Sequence, residues 1–222
     1  MKNKVNKVNN MNVELLSVYG TDLTVVNVAK VSYNKESSEL GDKEGRLINF
    51  LAKHKHTSPF RHTSLQFRIE CPIYIERQLF KHTVGISTNS ISGRYVDFSD
   101  TYSTITEWRK QSTDSKQGSL EPLALHEQAV ASKIEENVID VCKLAYQALT
   151  ELGIGKEQAR TILPLNLNTK FVWTGTLLAF IHMCNLRLKD DTQAETREIV
   201  AEMLKQVKEN KSFNLSLKAF NL

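Results

Sequence analysis

The sequence of 222 residues has few cysteines, no long apolar run and little excess charge of either sign. Its three cysteines, Cys71, Cys142 and Cys184, are far apart and form no Cys-x-x-Cys pair. A disulfide framework or a zinc site is therefore not expected, and the predicted compartment is a reducing cytoplasm. No apolar segment approaches the roughly 20 residues that span a bilayer, and none follows the basic first residues, so neither a membrane helix nor a secretory signal is predicted.

The charge balance is mildly basic, with 29 Lys and Arg against 25 Asp and Glu and a net charge of +4. That excess is far below the dense basic runs of a dedicated nucleic-acid-binding protein, and aromatic residues are not interleaved with basic ones. Nucleic-acid binding is therefore not expected, whereas an anionic small substrate suits the charge. The sequence also lacks internal repeats and a Gly-rich dinucleotide fingerprint.

The length and a hydrophobic content of 41% predict one folded domain. Residues 1–11 are polar and predict a flexible N-terminal tail, followed by a single domain over residues 12–222. Strands are predicted at 13–18, 64–70 and 168–174, and helices at 21–31, 43–54, from 72 onward, and at 127–152, 156–163, 177–186 and 192–207. Residues 97–119 predict a long exposed loop with a short helix around Trp108. The fold class is α+β, helix-rich in its C-terminal half.

The longest predicted helix, 127–152, carries apolar residues along one stripe, as an amphipathic helix does. The stripe consists of Val130, Ile134, Val138, Val141, Ala145 and Leu149.

A first polar cluster holds three histidines within nine residues, His54, His56 and His62. A metal site is disfavoured because no carboxylate or cysteine joins them and because Lys55 and Arg61 would repel a cation. Two interpretations stay open. The cluster is either a solvated basic helix end or a phosphate site built from histidine donors, hydroxyls and backbone N–H groups.

A second cluster runs from Gln78 to Tyr95. A helix would place Gln78, Lys81 and His82 on adjacent turns of one face. The following residues 87–95 are polar and rich in hydrogen-bond donors, so they are either a plain surface loop or, with Arg94, a nest for a phosphate-bearing ligand.

Two more basic positions lie further along the chain, Arg160 and Arg187. Each sits at the end of a predicted element, where an arginine is commonly an ordinary salt-bridge partner.

Together these segments resemble the flavin-dependent thymidylate synthases, the ThyX family. That family carries Arg-His-Arg-x-x-Ser-x-Asn-Glu-x-Ser-x-Arg-Tyr. This chain has Lys81-His82-Thr83 and then Ser87-x-Asn89-Ser90-x-Ser92-Gly93-Arg94-Tyr95, with one extra residue between His82 and Ser87. The preceding Arg77-Gln78 also matches, and four further blocks match in order, at residues 29–33, 56–60, 159–166 and 185–187.

The resemblance implies a ThyX-like mixed sheet with flanking helices, a homotetramer, and C5 methylation of dUMP to dTMP. It implies FAD as cofactor, with methylenetetrahydrofolate as carbon donor and NADPH as reductant. It implies nucleotide contacts from Gln78, Lys81, Ser90, Ser92, Gly93, Arg94, Arg160 and Arg187. It implies cofactor contacts from Ser32, His56, Ser58, His82, Thr83, Asn89, His182 and Arg187.

Two of these residues carry an expected catalytic role. Uracil C5 is a poor nucleophile until negative charge builds on the ring, and a guanidinium near a pyrimidine carbonyl stabilises that charge as it develops. Arg160 is the candidate for this role, and Ser92 would orient the nucleotide rather than attack it.

The chain departs from the family where the family meets its flavin. Lys81, Thr83 and Ser90 replace Arg, Arg and Glu. Further departures are Thr176 and Leu178 for Asn and Arg, Thr192 near a family His, and His182 where Asn is frequent. Since each lost charge-assisted hydrogen bond removes roughly 1.5–3 kcal/mol, two alternatives are open. They are flavin-dependent hydroxymethylation of dUMP or dCMP, and a non-catalytic nucleotide-binding paralogue.

Overall fold

The computed structural model describes residues 6–8, 11–96, 101–113 and 119–222. At its centre is a five-stranded sheet in the order β1-β2-β3-β7-β4. The strands are β1 (Asn6–Val8), β2 (Met11–Tyr19), β3 (Ser64–Pro72), β4 (Ile86–Ser90) and β7 (Asn168–Thr176). A separate hairpin is formed by β5 (Arg109–Gln111) and β6 (Ser119–Pro122).

Helices surround the sheet and dominate the second half of the chain. They are α1 (Asp22–Lys30), α2 (Asp42–Lys53), α3 (Ile73–Leu79), α4 (Leu125–Glu151), α5 (Lys156–Ala159), α6 (Leu177–Arg187), α7 (Ala194–Asn210) and α8 (Asn214–Ala219). Short 3₁₀ turns lie at Val31–Tyr33, Ser58–Arg61 and Arg160–Ile162. The α+β class and the helix-rich C-terminal half are thus confirmed.

The core lies between the sheet and the helices, in one cluster that extends from Met11 to Leu217. Its centre is aromatic. The ring centroid of Phe67 in β3 lies 6.0 Å from that of Trp173 in β7 and 5.9 Å from that of Phe180 in α6. Trp173 covers Gly175, where any Cβ would collide with the indole. These contacts hold β7 and α6 in fixed relation, and both elements border the candidate site.

Several predictions about local structure need correction. Among the described strands every pairing in the sheet is antiparallel, so the sheet is not mixed. The predicted tail is wrong at its described residues, because Asn6–Val8 pairs with β2 and Met11 is 2% exposed. The remaining residues of that tail lie outside the described part of the chain. Trp108 precedes strand β5 and lies in no helix, and the predicted 97–119 loop falls partly outside the described residues.

Two corrections concern the candidate site itself. Helix α3 ends at Leu79, so Lys81 and His82 lie in the turn that follows it rather than on a helical face. The stretch predicted as a polar loop begins as a strand, β4, which pairs with β7 along the edge of the sheet.

The apolar stripe of α4 is mostly exposed. Val130 is 60%, Ile134 59% and Val141 65% exposed, and Ile139 is the one residue of the 27-residue helix that is buried. The helix is attached instead through polar contacts, such as Ile105 N donating to Glu135 Oε2 at 3.1 Å.

Candidate active site

Three elements meet at Arg187, the last residue of α6. Its Nε donates to His82 Nε2 at 3.0 Å, and its Nη2 donates to the carbonyl oxygen of Gln78 at 3.0 Å. The guanidinium therefore ties the end of α3 and the turn after it to α6. His82 and Gln78 are 105 and 109 positions from Arg187 in sequence. The resemblance had assigned Gln78 to the nucleotide, His82 to the cofactor and Arg187 to both, and the structure brings the three together.

This contact determines the protonation of His82. An imidazole nitrogen that accepts a hydrogen bond carries no proton, so the proton of neutral His82 is on Nδ1. Partial burial of the ring, and secondly the positive charge of Arg187, lower the pKa of His82 below its ordinary value. The imidazole is thus held neutral, with its N–H directed away from Arg187.

The edge strand β4 carries the next group of predicted residues. Asn89 and Ser90 are exposed, and Ser90 Oγ donates to Glu76 Oε1 at 2.7 Å. Burial raises the pKa of Glu76, against the hydrogen bond from Ser90. At the position of the family's glutamate, this chain therefore has Ser90, whose hydroxyl donates to Glu76 of α3. Glu76 was not predicted as a site residue from the sequence.

A tight turn follows β4. Ile91 N donates to the carbonyl of Lys170, and Arg94 N donates to Ser92 Oγ at 3.3 Å. Gly93 is buried, whereas the Arg94 guanidinium is exposed and lies 5.3 Å from the Tyr95 ring centroid. The turn thus presents a cation and a hydroxyl to solvent at the sheet edge.

The segment between His82 and Ser87, which is one residue longer than in the family pattern, contains Gly85. The φ of Gly85 is +73°, in the left-handed region that glycine adopts at no steric cost. Its carbonyl accepts from Thr176 N at 2.9 Å, and an added Cβ would lie 3.0 Å from Thr176 Oγ1.

Two residues that differ from the family pattern, Thr176 and Leu178, stabilise the fold. Thr176 Oγ1 accepts from Ala179 N at 3.2 Å and so caps α6. Leu178, in the first turn of that helix, is 8% exposed and belongs to the core. Neither side chain is presented to a ligand as the family's Asn and Arg would be.

The other predicted residues have exposed side chains: Ser32, His56, Ser58, Lys81, Thr83, Arg160 and His182. Lys81 and Thr83 flank His82, and Lys81 N donates to the carbonyl oxygen of Gln78. The centroid of the His56 ring lies 5.8 Å from that of Phe50. Within the described residues no hydrogen bond or ring contact joins Arg160 or Ser58 to Arg187, so one copy of the chain presents these two residues separately from Arg187.

The side-chain partners of Gln78 were not predicted from the sequence. Its Nε2 donates to Gln193 Oε1 at 2.6 Å, and Thr196 Oγ1 donates to its Oε1 at 3.0 Å. Gln193 and Thr196 are three positions apart at the start of α7, where side chains lie on one face. That spacing is the sole sequence signal, and it is too common to identify a partner on another element.

A cleft of about 390 Å³ opens next to these residues, lined among others by Trp108, Arg109, Gln193 and Glu195. Arg109 Nη2 donates to Glu195 Oε1 at 2.5 Å across it. Within the described residues, no group of three His, Cys, Asp or Glu side chains is placed to hold a metal ion. No described helix is long and apolar enough to cross a membrane.

The fold and the surface chemistry define a class: an α+β protein with cations and hydroxyls at one sheet edge that suit a phosphate-bearing ligand. The chain belongs to the family described as thymidylate synthase complementing protein, Thy1, whose model matches residues 14–210. The recognised resemblance is thereby confirmed.

Known relatives agree with this assignment. The chain is 37% identical over 199 residues to a flavin-dependent thymidylate synthase of Thermus thermophilus, covering 89% of this chain and 71% of that one. It is 34% identical to the flavin-dependent thymidylate synthase of Thermosipho melanesiensis, covering 88% and 84%. A similar crystal structure is the UMP/dUMP methylase PolB from Streptomyces cacaoi bound with 5-Br dUMP, with a TM-score of 0.84, 25% identity, and coverage of 95% and 94%.

Proposed function

We propose that this protein is a flavin-dependent enzyme that methylates C5 of dUMP to give dTMP. The observation that carries the proposal is the junction of Gln78, His82 and Arg187, which joins three family motifs at one place. The relatives named flavin-dependent thymidylate synthase and the UMP/dUMP methylase neighbour support it.

The nucleotide phosphate is proposed to bind at the sheet edge. Lys81 and Arg94 are exposed cations on either side of β4, and buried Gly93 between Ser92 and Arg94 has no side chain to obstruct a phosphate close to the backbone. Ser92 orients the nucleotide. Arg160 is the proposed stabiliser of negative charge on the pyrimidine ring, because a preorganised guanidinium lowers the energy of the state in which that charge develops.

The chemistry of the remaining donors fits FAD. Imidazole, hydroxyl and amide groups of Ser32, His56, Ser58, Asn89 and His182 are exposed and suit the phosphates and polar ring edges of a flavin. The neutral His82 adds one N–H donor and Thr83 a hydroxyl. When bound, the flavin supplies reducing equivalents and takes part in carbon transfer, with methylenetetrahydrofolate as carbon donor and NADPH as reductant.

A homotetramer in the cytoplasm completes the proposal. The exposed stripe of α4 is a surface that a second copy would cover. The separation of Arg160 and Ser58 from the Arg187 junction is accounted for if several copies build each site. The three free cysteines, of which Cys71 and Cys184 are buried, suit a reducing compartment.

A spectral titration tests this proposal. The purified protein is reconstituted with FAD, and the absorbance change of bound flavin is followed on adding dUMP, UMP or dCMP in separate arms. We expect a stable yellow complex that responds to dUMP. Arg94→Ala should weaken dUMP binding at least tenfold, since a hydrogen bond to a charged group contributes about 1.5–3 kcal/mol. Arg46→Ala, an exposed arginine of α2, is the matched control. Failure to retain FAD, with dUMP still bound, would instead support the non-catalytic paralogue.

A further inference from the structure

The Thr196 hydroxyl is buried in the first turn of α7 and reaches another helix. The residue is 0% exposed, and its Oγ1 donates to Gln78 Oε1 of α3 at 3.0 Å. A threonine hydroxyl inside a helix commonly bonds the carbonyl one turn back. Here it spans two elements 118 positions apart in sequence and fixes one atom of the Gln78 amide.

The other atom of that amide is fixed from the same helix. Gln78 Nε2 donates to Gln193 Oε1 at 2.6 Å. A glutamine amide has two N–H donors and two acceptor lone pairs. One N–H donates to Gln193 and one lone pair accepts from Thr196. The second N–H and the second lone pair of Gln78 are therefore held in one orientation.

Both contacts of the Gln78 amide come from the start of α7. Gln193 immediately precedes the helix and Thr196 is its third residue. Side chains three positions apart at a helix start lie on one face, so the two residues reach the same amide from one side.

These two hydrogen bonds define the direction of the Gln78 amide. Its nitrogen faces the oxygen of Gln193, and its oxygen faces the Thr196 hydroxyl. If the Gln78 amide alone were reversed, its oxygen would oppose the Gln193 oxygen, which leaves a costly unsatisfied polar pair.

We propose that Gln193 and Thr196 are positioning residues that fix the Gln78 amide in the orientation the nucleotide requires. The inference rests on the proposed function, in which Gln78 contacts the nucleotide. A reversed amide would exchange the donor and the acceptor that Gln78 presents to the ligand. The two residues act through Gln78 and need no contact with the nucleotide themselves.

The test is a double-mutant cycle read by nucleotide affinity. Thr196→Val keeps the side-chain shape and removes the hydroxyl, whereas Thr196→Ser keeps the hydroxyl. We expect Thr196→Val to raise the Kd for dUMP about threefold to tenfold, the effect of one hydrogen bond, and Thr196→Ser to restore it. In a Gln78→Ala background Thr196→Val should change the Kd by less than about twofold, because no amide is left to orient.

Two further variants separate positioning from stability. Gln193→Ala removes the acceptor for Gln78 Nε2 and should raise the KM for dUMP with a smaller change in kcat. Thr150→Val, a threonine of α4 whose hydroxyl bonds the Tyr146 carbonyl, is the matched control and should leave the Kd unchanged.

The possible results are distinct. An equal loss of affinity from Thr196→Val in both backgrounds would overturn the inference, as would an unchanged KM in Gln193→Ala. If the unaltered protein binds no dUMP, the proposed function fails first and the role of Gln78 fails with it.

Discussion

Arg187 and His82 give the clearest case of a single contact that decides a protonation state. Without Arg187, a half-buried imidazole in a turn would be free to change its tautomer and its charge near neutral pH. With Nε2 occupied by the guanidinium, the ring has one donor, Nδ1–H, in a defined direction. The motif predicted that both residues belong to the site. It could not predict that they touch, because they are 105 positions apart.

We predict that Arg187→Gln raises the pKa of His82. The substitution removes the repelling positive charge, although burial, the larger cause, still lowers the pKa. The pKa of His82 is lower in the folded chain than in the unfolded chain, where it is about 6.5. Neutral His82 therefore contributes to the stability of the fold above that pH, and the contribution is lost as the pH falls through the folded-state pKa. Arg187→Gln should weaken that dependence. NMR titration of the imidazole measures the pKa directly.

Arg197→Gln is the control for this experiment, since Arg197 contacts the carbonyls of Lys189 and Asp190 and does not contact His82. A His82 pKa that is identical in the unaltered protein and in Arg187→Gln would refute the electrostatic account.

Among secondary-structure elements, β4 shows what periodicity could and could not predict. Strands β2, β3 and β7 alternate or contain apolar residues and were predicted from the sequence. Strand β4 has one half-buried residue, Ile86, and four exposed ones, so it has no apolar pattern to detect. It exists because β7 offers it backbone partners and because Gly85 permits the turn before it.

We predict that Gly85→Ala destabilises the fold by about 1–2 kcal/mol, the cost of placing a Cβ in the left-handed region. The new Cβ would also press on Thr176 Oγ1, the cap of α6. Gly45→Ala is the matched control, because Gly45 lies inside α2 with no atom within 4 Å of the added Cβ. That change should stabilise the protein by about 0.5–1 kcal/mol. Denaturant unfolding measures both, and equal effects of the two substitutions would contradict this explanation.

For helix α4 the sequence predicted the apolar stripe but not that the stripe is exposed. The stripe was correctly located, and it faces solvent in one copy of the chain. We predict that Ile134→Glu dissociates the proposed homotetramer. A carboxylate at a buried contact would replace a side chain whose burial contributes about 1.5–3 kcal/mol.

Gln147→Glu adds the same charge to an exposed position of the same helix outside the stripe, and it should leave the assembly intact. Light scattering coupled to size-exclusion chromatography gives the mass of each variant. A tetramer of unchanged mass in Ile134→Glu would argue against α4 as the interface.

At the scale of the whole molecule, colinear motifs predicted the family, the fold class and the set of site residues. The physical arrangement of those residues lay beyond the sequence. The contact of Gln78 with Gln193 spans 115 positions, and nothing in the local pattern of either segment encodes it. Arg160 and Ser58 belong to matching family segments and are exposed. Within the described part of one chain, neither forms a side-chain hydrogen bond with another predicted site residue.

The departures from the family also acquire a physical explanation at this scale. Thr176 and Leu178 stabilise the start of α6 and the core instead of presenting polar groups. Ser90 is bonded to Glu76, so a carboxylate is still present beside β4 although it belongs to another element. Thr176 and Leu178 fall at positions where the resemblance predicts flavin contacts, whereas Arg187 contacts both His82 and Gln78.

Product identification tests the central claim most directly. The protein is incubated with FAD, NADPH, methylenetetrahydrofolate and dUMP, with UMP and dCMP in parallel reactions, and each product is identified by mass spectrometry. The account predicts dTMP from dUMP, formed only when NADPH is present, and a decrease in kcat of about 10²-fold in Arg160→Ala. A 5-hydroxymethyl product independent of NADPH, or bound dUMP that is never converted, would contradict it.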